Sequence, residues 1–332
     1  MECRRVVNGP GPTANPSCRR LRAGPPLGAH MSIAGGVDKA PLRGRAVGCE
    51  AIQVFTKSNR QWRSRPIGDE EVEAFRRNVK AAGIVSVVAH DCYLLNLAAP
   101  TAAVWKRSTD AFREELERAE RLGIPYLVTH PGSHLGAGET DGIARVAEAL
   151  NVVHAALPHH RVRVLLETTA GQGSSLGYRF EQLAAILERV DAAGRVGICL
   201  DTCHLFAGGY DIRSPHGYRE TLRALARCVG VGRVKAIHLN DSRQGLGSRV
   251  DRHAHIGEGS LGRAAFGFFL NDPRFRRVPM ILETPKGGDH VAADRRNLAR
   301  LRRLLDAGPR CRSSRTRPRG QPEGLPATRS PR

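Results

Sequence analysis

IVSVVAHDCYLLNLAAPTAAVWKRSTDAFREELERAERLGIPYLVTH (84–130) reads as a strand, a long helix and a second strand. The runs 84–90 and 125–130 are short, apolar and β-branched, whereas apolar residues in 101–122 recur at helical spacing. Thr101 stands where the helix should begin, and Gly123 where it must stop. Each strand-like run ends in a histidine, His90 and His130.

The same unit repeats on both sides. Further runs are PPLGAH (25–30), AIQVFT (51–56), VRVLLET (162–168), VGICLD (196–201), VKAIHLN (234–240) and VPMILET (278–284). Helical segments are expected between them at 69–82, 140–156, 178–191, 217–229 and 290–306. Eight alternations of strand and helix predict a parallel sheet, and their total length suits an α/β (β/α)8 TIM barrel, a single domain over 28–306. An open doubly wound sheet is the weaker reading. It would want a Gly-x-Gly-x-x-Gly turn after an early strand, and Gly35-Gly36 and Gly171-Gln-Gly173 are too short for that. Pro25 and Pro26 make the first run the least strand-like.

Outside the barrel, residues 1–27 and 307–332 mix Gly, Pro and Arg without period, so disordered basic tails are expected. The chain has a net charge of +20; the N-terminal extension carries +4 of it and the C-terminal tail +6, which leaves +10 on the barrel. A basic body points to a polyanionic partner, nucleic acid first. No apolar run is long enough to span a membrane and no secretory signal is visible, so a cytoplasmic protein is expected, with no membrane partner and no obligatory protein partner. The eight cysteines are scattered without metal or redox spacing and read as packing thiols.

The strand ends carry the chemistry. From the third run onward the last polar residues are His90, His130, Glu167, Asp201, His238 and Glu283. In a barrel, all strand C-termini open onto one face, so these six side chains share one bowl. With about one residue in seven being His, Asp or Glu, six such ends in succession are poorly explained by chance. Carboxylates gathered in a closed bowl repel one another unless cations neutralise them, and mixed N/O ligation suits zinc, manganese or iron. Six groups exceed what one zinc uses, which argues for at least two ions. Two chelating pairs extend the set: His204 lies three residues after Asp201, and Asp251 and His253 lie two apart in DRHAHIGEG. Nine candidate ligands are enough for three ions sharing a carboxylate. His154, His159, His160, His216 and His290 lie away from strand ends and read as surface or packing residues. His30, His134 and His255 are ambiguous, and Asp241 is a candidate to orient a ligand histidine.

GAHMSIAGG (28–36), HDCYLLNL (90–97), HPGSH (130–134), ETTAGQGSSLG (167–177), ICLDTCH (198–204), HLNDS (238–242), GSRVDRHAHIGEG (247–259) and ILETPKGG (281–288), in this order, closely resemble the endonuclease IV family. Those proteins are apurinic/apyrimidinic endonucleases with a trinuclear zinc site in a (β/α)8 barrel. The resemblance implies one Zn2+ on His90, His130 and Glu167, and a second on Glu167, Asp201, His238 and Glu283. It places a third on His204, Asp251 and His253, with Mn2+ or Fe2+ able to substitute. Arg60 in FTKSNRQW, with Tyr93 and Leu94, is implied to insert into DNA at the lesion. Cys92 departs from the serine usual at that position.

The function so implied is base-excision repair at the bacterial nucleoid. The substrate would be double-stranded DNA containing abasic sites or blocked 3′ ends, cut 5′ to the lesion to leave a 3′-hydroxyl and a 5′-deoxyribose-phosphate. The expected mechanism is attack by hydroxide at a three-metal site, with Glu167 or Glu283 helping to deprotonate the water. Two alternatives stand beside it. A metal-dependent sugar isomerase or epimerase would use the same barrel with one or two ions and no third chelate. A non-catalytic nucleic-acid-binding protein would bind through its arginine tails.

Overall fold

The computed structural model describes residues 24–59 and 61–305; most of both expected tails, and Arg60, lie outside the described residues. Ten strands occur among the described residues: β1 (Leu27–His30), β2 (Ala51–Phe55), β3 (Ser86–His90), β4 (Tyr126–Thr129), β5 (Arg163–Glu167), β6 (Val196–Asp201), β7 (Val234–His238), β8 (Asp241–Ser242), β9 (His253–Ala254) and β10 (Met280–Leu282). Eight of them, all parallel, close into a barrel in the order β1-β10-β7-β6-β5-β4-β3-β2. β8 and β9 form a small antiparallel ribbon. Each of the eight expected runs contains one barrel strand. The barrel starts at Leu27, one residue ahead of the expected boundary, and the prolines do not prevent this. The Pro26 carbonyl accepts a hydrogen bond from the Met280 N–H at 2.9 Å, so the residue pairs through the group proline retains. A Cβ on Gly28 would lie 1.6 Å from the Ala51 carbonyl oxygen, so only glycine allows β1 this close to β2.

The helices are α1 (Ala40–Val47), α2 (Asp69–Ala82), α3 (Ala102–Leu122), α4 (Glu139–Ala156), α5 (Phe180–Leu187), α6 (Thr202–Ala207), α7 (Pro215–Cys228), α8 (Arg263–Leu270) and α9 (His290–Arg302). α3 shows why they form. Phe112, Leu116, Ala119 and Leu122 recur at three- and four-residue spacing and are buried, each large one contributing about 1.5–3 kcal/mol. Gly123 ends the helix in the left-handed conformation, its N–H returning to the Ala119 and Glu120 carbonyls. Thr101 stands at the N-cap, but its hydroxyl makes no capping bond; its carbonyl instead accepts from the Trp105 N–H. Sequence periodicity did not indicate α1, α6 or α8. α6 is barely longer than one turn, and α8 (RAAFGFFL) is too apolar to show a polar face.

Inside the barrel, Val88, Val128, Leu165, Cys199 and Ala236 pack as one fully buried layer, one residue from each of β3 to β7. Side chains alternate along a strand, so the residue two positions on faces inward again. Those residues are His90, His130, Glu167, Asp201 and His238. The same step takes Ile281 to Glu283, Gly28 to His30 and Ala51 to Gln53. Seven barrel strands therefore deliver a polar side chain to this layer at or just beyond their C-terminal ends, and β2 delivers Gln53 from its middle.

Candidate metal centre

Glu167 stands at the middle of that layer and is fully buried. Its Oε2 lies 3.2 Å from His90 Nε2 and 3.3 Å from His130 Nε2. Its Oε1 lies 2.9 Å from His238 Nδ1 and 3.3 Å from His204 Nδ1. One carboxylate thus faces imidazoles on two sides. His90, His130 and Glu167 form one group with donor atoms within 4.8 Å of one another, and Glu167, Asp201, His238 and Glu283 form a second. Glu283 Oε2 reaches His238 Nδ1 at 3.1 Å. The third set is built around Asp251, whose two oxygens lie 3.1 Å from His204 Nε2 and 3.3 Å from His253 Nε2. Asp201 Oδ2, at 3.7 Å from His253 Nε2, links it to the second. All nine candidate ligands converge.

Local structure aims each ring. Asp201 caps α6, accepting the His204 N–H at 2.8 Å, so the three-residue spacing brings both side chains to one side of a tight turn. His204 Nδ1 donates to the Thr168 carbonyl at 2.7 Å, His90 Nδ1 to that of Asp91 at 2.8 Å, and His253 Nδ1 to that of Glu283 at 3.2 Å. Protonating Nδ1 leaves the Nε2 lone pair of each ring facing the cluster. His204 Nε2 and His253 Nε2 are buried there without a hydrogen-bond partner. Orphaned imidazole lone pairs among carboxylates are a donor set that a divalent cation completes, so these residues fit the metals implied for them.

Electrostatics agree. Burial would raise the Glu167 and Glu283 carboxyls, yet the surrounding imidazoles, His238 foremost, hold both well below the usual range. Asp251 is likewise lowered to about 2, against its burial, mainly by His204. Burial works to lower His90, His204 and His238. Their acidic neighbours, Asp91 and Glu167 for His90 and Asp201 and Asp251 for His204, override it; for His238 the neighbours are Cys199, Glu283 and Glu167. All three stand well above 6.5.

Tyr93, exposed by 67%, leans edge-on against Phe55 at 5.6 Å and lies 6.1 Å from the His90 ring, on the rim of the bowl. Leu94 beside it is also exposed. Asp241 does not orient a ligand histidine. Its carboxylate accepts the N–H groups of Ser242, Gly257, Gly259 and Leu261, holding the loop that follows β9. Of the ambiguous histidines only His30 joins the layer, 3.7 Å from Glu283. His134 accepts from the Gly138 N–H before α4, and His255 is held by Asn297.

Two residues of the site were not singled out in the sequence. Asn240 donates to Asp201 Oδ2 at 2.6 Å and accepts the Glu283 N–H at 2.8 Å. Gln53 touches His238, Glu283 and His30. A lone Gln inside the apolar run AIQVFT was the available signal. A groove of about 740 Å³ between α7 and α8 has a single acid, Asp272, already bound to Tyr218 and Arg274. It offers no comparable chemistry.

His154 is a packing residue, as expected, buried on α4 with no partner for either ring nitrogen. Burial, aided by Arg195, lowers it to about 4. A histidine depressed from 6.5 favours folding only while neutral, so its contribution is complete above about pH 6.5 and is lost as pH falls through 4. His154→Leu should remove about 2 kcal/mol of acid sensitivity between pH 7 and 4.5 in denaturant titrations. An unchanged pH slope would clear His154 of this role.

The family model described as a xylose isomerase-like TIM barrel matches residues 43–304. The protein named "Probable endonuclease 4" of Chloroflexus aurantiacus is 56% identical over 281 residues, 85% of this chain and 98% of its own length. That of Geobacter sulfurreducens is 54% identical over 279 residues, 84% of this chain and 94% of its own. The crystal structure of endonuclease IV from Thermus thermophilus superposes with a TM-score of 0.75 at 40% identity, covering 85% of this chain and 99% of that one. A D-tagatose 3-epimerase-like protein shares the fold alone, at 16% identity and a TM-score of 0.63. Homology over nearly the whole barrel, together with the nine converging ligands, places this chain in the endonuclease IV family of nucleases.

Proposed function

We propose that this chain is a base-excision-repair endonuclease that hydrolyses the phosphodiester 5′ to abasic sites in duplex DNA. The products are a 3′-hydroxyl and a 5′-deoxyribose-phosphate, and blocked 3′ ends are cleared by the same chemistry at the nucleoid. The observation that carries this reading is Glu167, whose two oxygens face His90 and His130 on one side and His238 on the other. A shared carboxylate between two ligand sets, with Asp251 joining His204 and His253 beside them, suits three ions better than one.

His90, His130 and Glu167 would hold the first ion; Glu167, Asp201, His238 and Glu283 the second; His204, Asp251 and His253 the third. Bound divalent zinc supplies Lewis acidity toward phosphoryl oxygen and lowers the pKa of water toward ~7. Glu283, half-buried at the edge of the cluster, or Glu167 would help to take a proton from water entering the bowl. Cys199 lies against Glu167 and His238, and Cys203 against Asp251 and His253, but burial pushes the two thiols up to about 11 and about 12, so they stay protonated and direct attack by water is the reading. Tyr93 and Leu94 stand exposed on the rim, where they would fill the gap left by a missing base. Arg60 is assigned the same role. The surplus of basic residues would bind phosphates and make affinity fall with salt.

Zinc-loaded protein should incise the abasic strand of a duplex while leaving the matched intact duplex uncut. No incision with three ions confirmed bound would sink the reading. Turnover of a ketohexose instead would favour the epimerase alternative.

A further inference from the structure

Four of the five rings of the cluster are held from behind by a hydrogen bond, and not all in the same way. His90, His204 and His253 each give an Nδ1–H to a backbone carbonyl and turn Nε2 inward. His238 is reversed. Its Nδ1 faces Glu167 and Glu283, and its Nε2 faces outward to a side chain, the Oε1 of Gln53 at 2.8 Å. A backbone carbonyl can only accept, so it dictates the tautomer of its ring. An amide side chain can turn over and present either a donor or an acceptor.

What prevents Gln53 from turning over is Glu283. Gln53 is fully buried, and its Nε2 donates to Glu283 Oε1 at 2.6 Å and to His30 Nδ1 at 3.0 Å. Reversing the amide would set its oxygen against the Glu283 carboxylate, two acceptors facing each other in a buried site. Both amide hydrogens and the oxygen are therefore committed. The oxygen must face His238, which has to donate Nε2–H and keep the lone pair on Nδ1.

We infer that Gln53 is a positioning residue for the second ligand set, locking His238 in the tautomer that presents Nδ1 and holding Glu283 beside it. The inference rests on the three-ion reading above. Its reach is selective. Gln53 touches two of the four side chains of the second set and no residue confined to the first or third. An alternative donor at this position, or none, would leave His238 free to protonate Nδ1 and withdraw one ligand. His90 in the first set and His204 and His253 in the third keep their carbonyl-locked tautomers.

The test is Gln53→Met, which fills similar volume without hydrogen bonds, with Gln53→Ala as a second variant should methionine not fold. Metal-free wild type and variant are titrated with zinc against a chromophoric chelator, and the tautomers are read from nitrogen-15 spectra of histidine-labelled, zinc-loaded protein. His238→Gln identifies the His238 signal. Expected is a loss of about 10–100-fold in affinity for one zinc equivalent, with the other two unchanged. The protonated His238 Nε2 of the wild type should give way to mixed or rapidly exchanging protonation. Three equivalents at wild-type affinity, or a uniform weakening of all three, would overturn the inference. Wild type that itself binds fewer than three ions would overturn the three-ion reading and this inference with it. Three wild-type ions with an indifferent Gln53 variant would sink this inference alone.

Discussion

Glu167→Gln should lower incision of an abasic-site duplex by about 10³–10⁴-fold, roughly 4–5.5 kcal/mol of transition-state stabilisation. The substitution keeps the side chain's volume and one acceptor oxygen in a fully buried position, so the fold should persist. What changes is chemical. Both Glu167 oxygens face imidazole nitrogens, and an amide places N–H groups toward one of those rings. It also removes the negative charge on which both ligand sets draw. An amide cannot bridge two cations as a carboxylate does. Because Tyr93, Leu94 and the basic exterior are untouched, DNA affinity should stay within about threefold while kcat collapses. Removing residues 307–332 should do the reverse, weakening binding at most several-fold and leaving kcat intact. If the deletion abolished incision and Glu167→Gln did not, the protein would be a DNA binder through its tail, and the proposed centre would be wrong.

Stripping the metals should abolish incision, and zinc should restore it, but the more telling effect is on stability. In the metal-free chain the cluster is held by imidazolium–carboxylate attraction. His90, His204 and His238 are raised well above 6.5, so their contribution is present below that pH and is lost as pH rises through the raised values. Glu167, Glu283 and Asp251 are depressed, so theirs is present above about pH 4.5 and is lost on further acidification. The metal-free protein should therefore be firmest in mild acid and loosen toward alkaline pH. Cations need deprotonated rings, so their contribution grows in the opposite direction. At zinc a thousand times its dissociation constant, binding contributes about 4 kcal/mol, or about 10 °C in Tm. Melting curves at pH 6 and 8.5, with chelator or with zinc, should show the gap widening at the higher pH. A gap that narrows would mean the histidines do not ligate.

Much of this was legible before any coordinates. Most barrel strands are apolar runs with a polar residue at the end, as parallel strands buried on both faces are expected to read. Six of the nine candidate ligands were visible for the same reason: a histidine or acid that ends such a run has few bland explanations. The elements that escaped were those whose cause is not periodic. α6 exists because Asp201 caps it, and α1 packs its Gly44 directly on Ile52, where a Cβ would lie 2.5 Å from the isoleucine methyl. Asp241 looked like a partner for a histidine because it lies three residues from His238, but the chain turns there and carries it to a different loop. Gln53 was passed over because it lies in the middle of its run, not at the end, and its partners His30, His238 and Glu283 are remote in sequence.

The sequence by itself determined which residue types stand at the strand ends, because side-chain alternation places a polar side chain two positions after each buried layer residue. It also determined the family, through motifs spread over the whole barrel. Partnership was decided only by tertiary structure. Gln53 and Glu283 lie 230 residues apart, and barrel closure makes them neighbours. The direction in which His90, His204, His253 and His238 face depends on whether a carbonyl or an amide stands behind the ring. That is a matter of which strands lie side by side, and no local pattern encodes it.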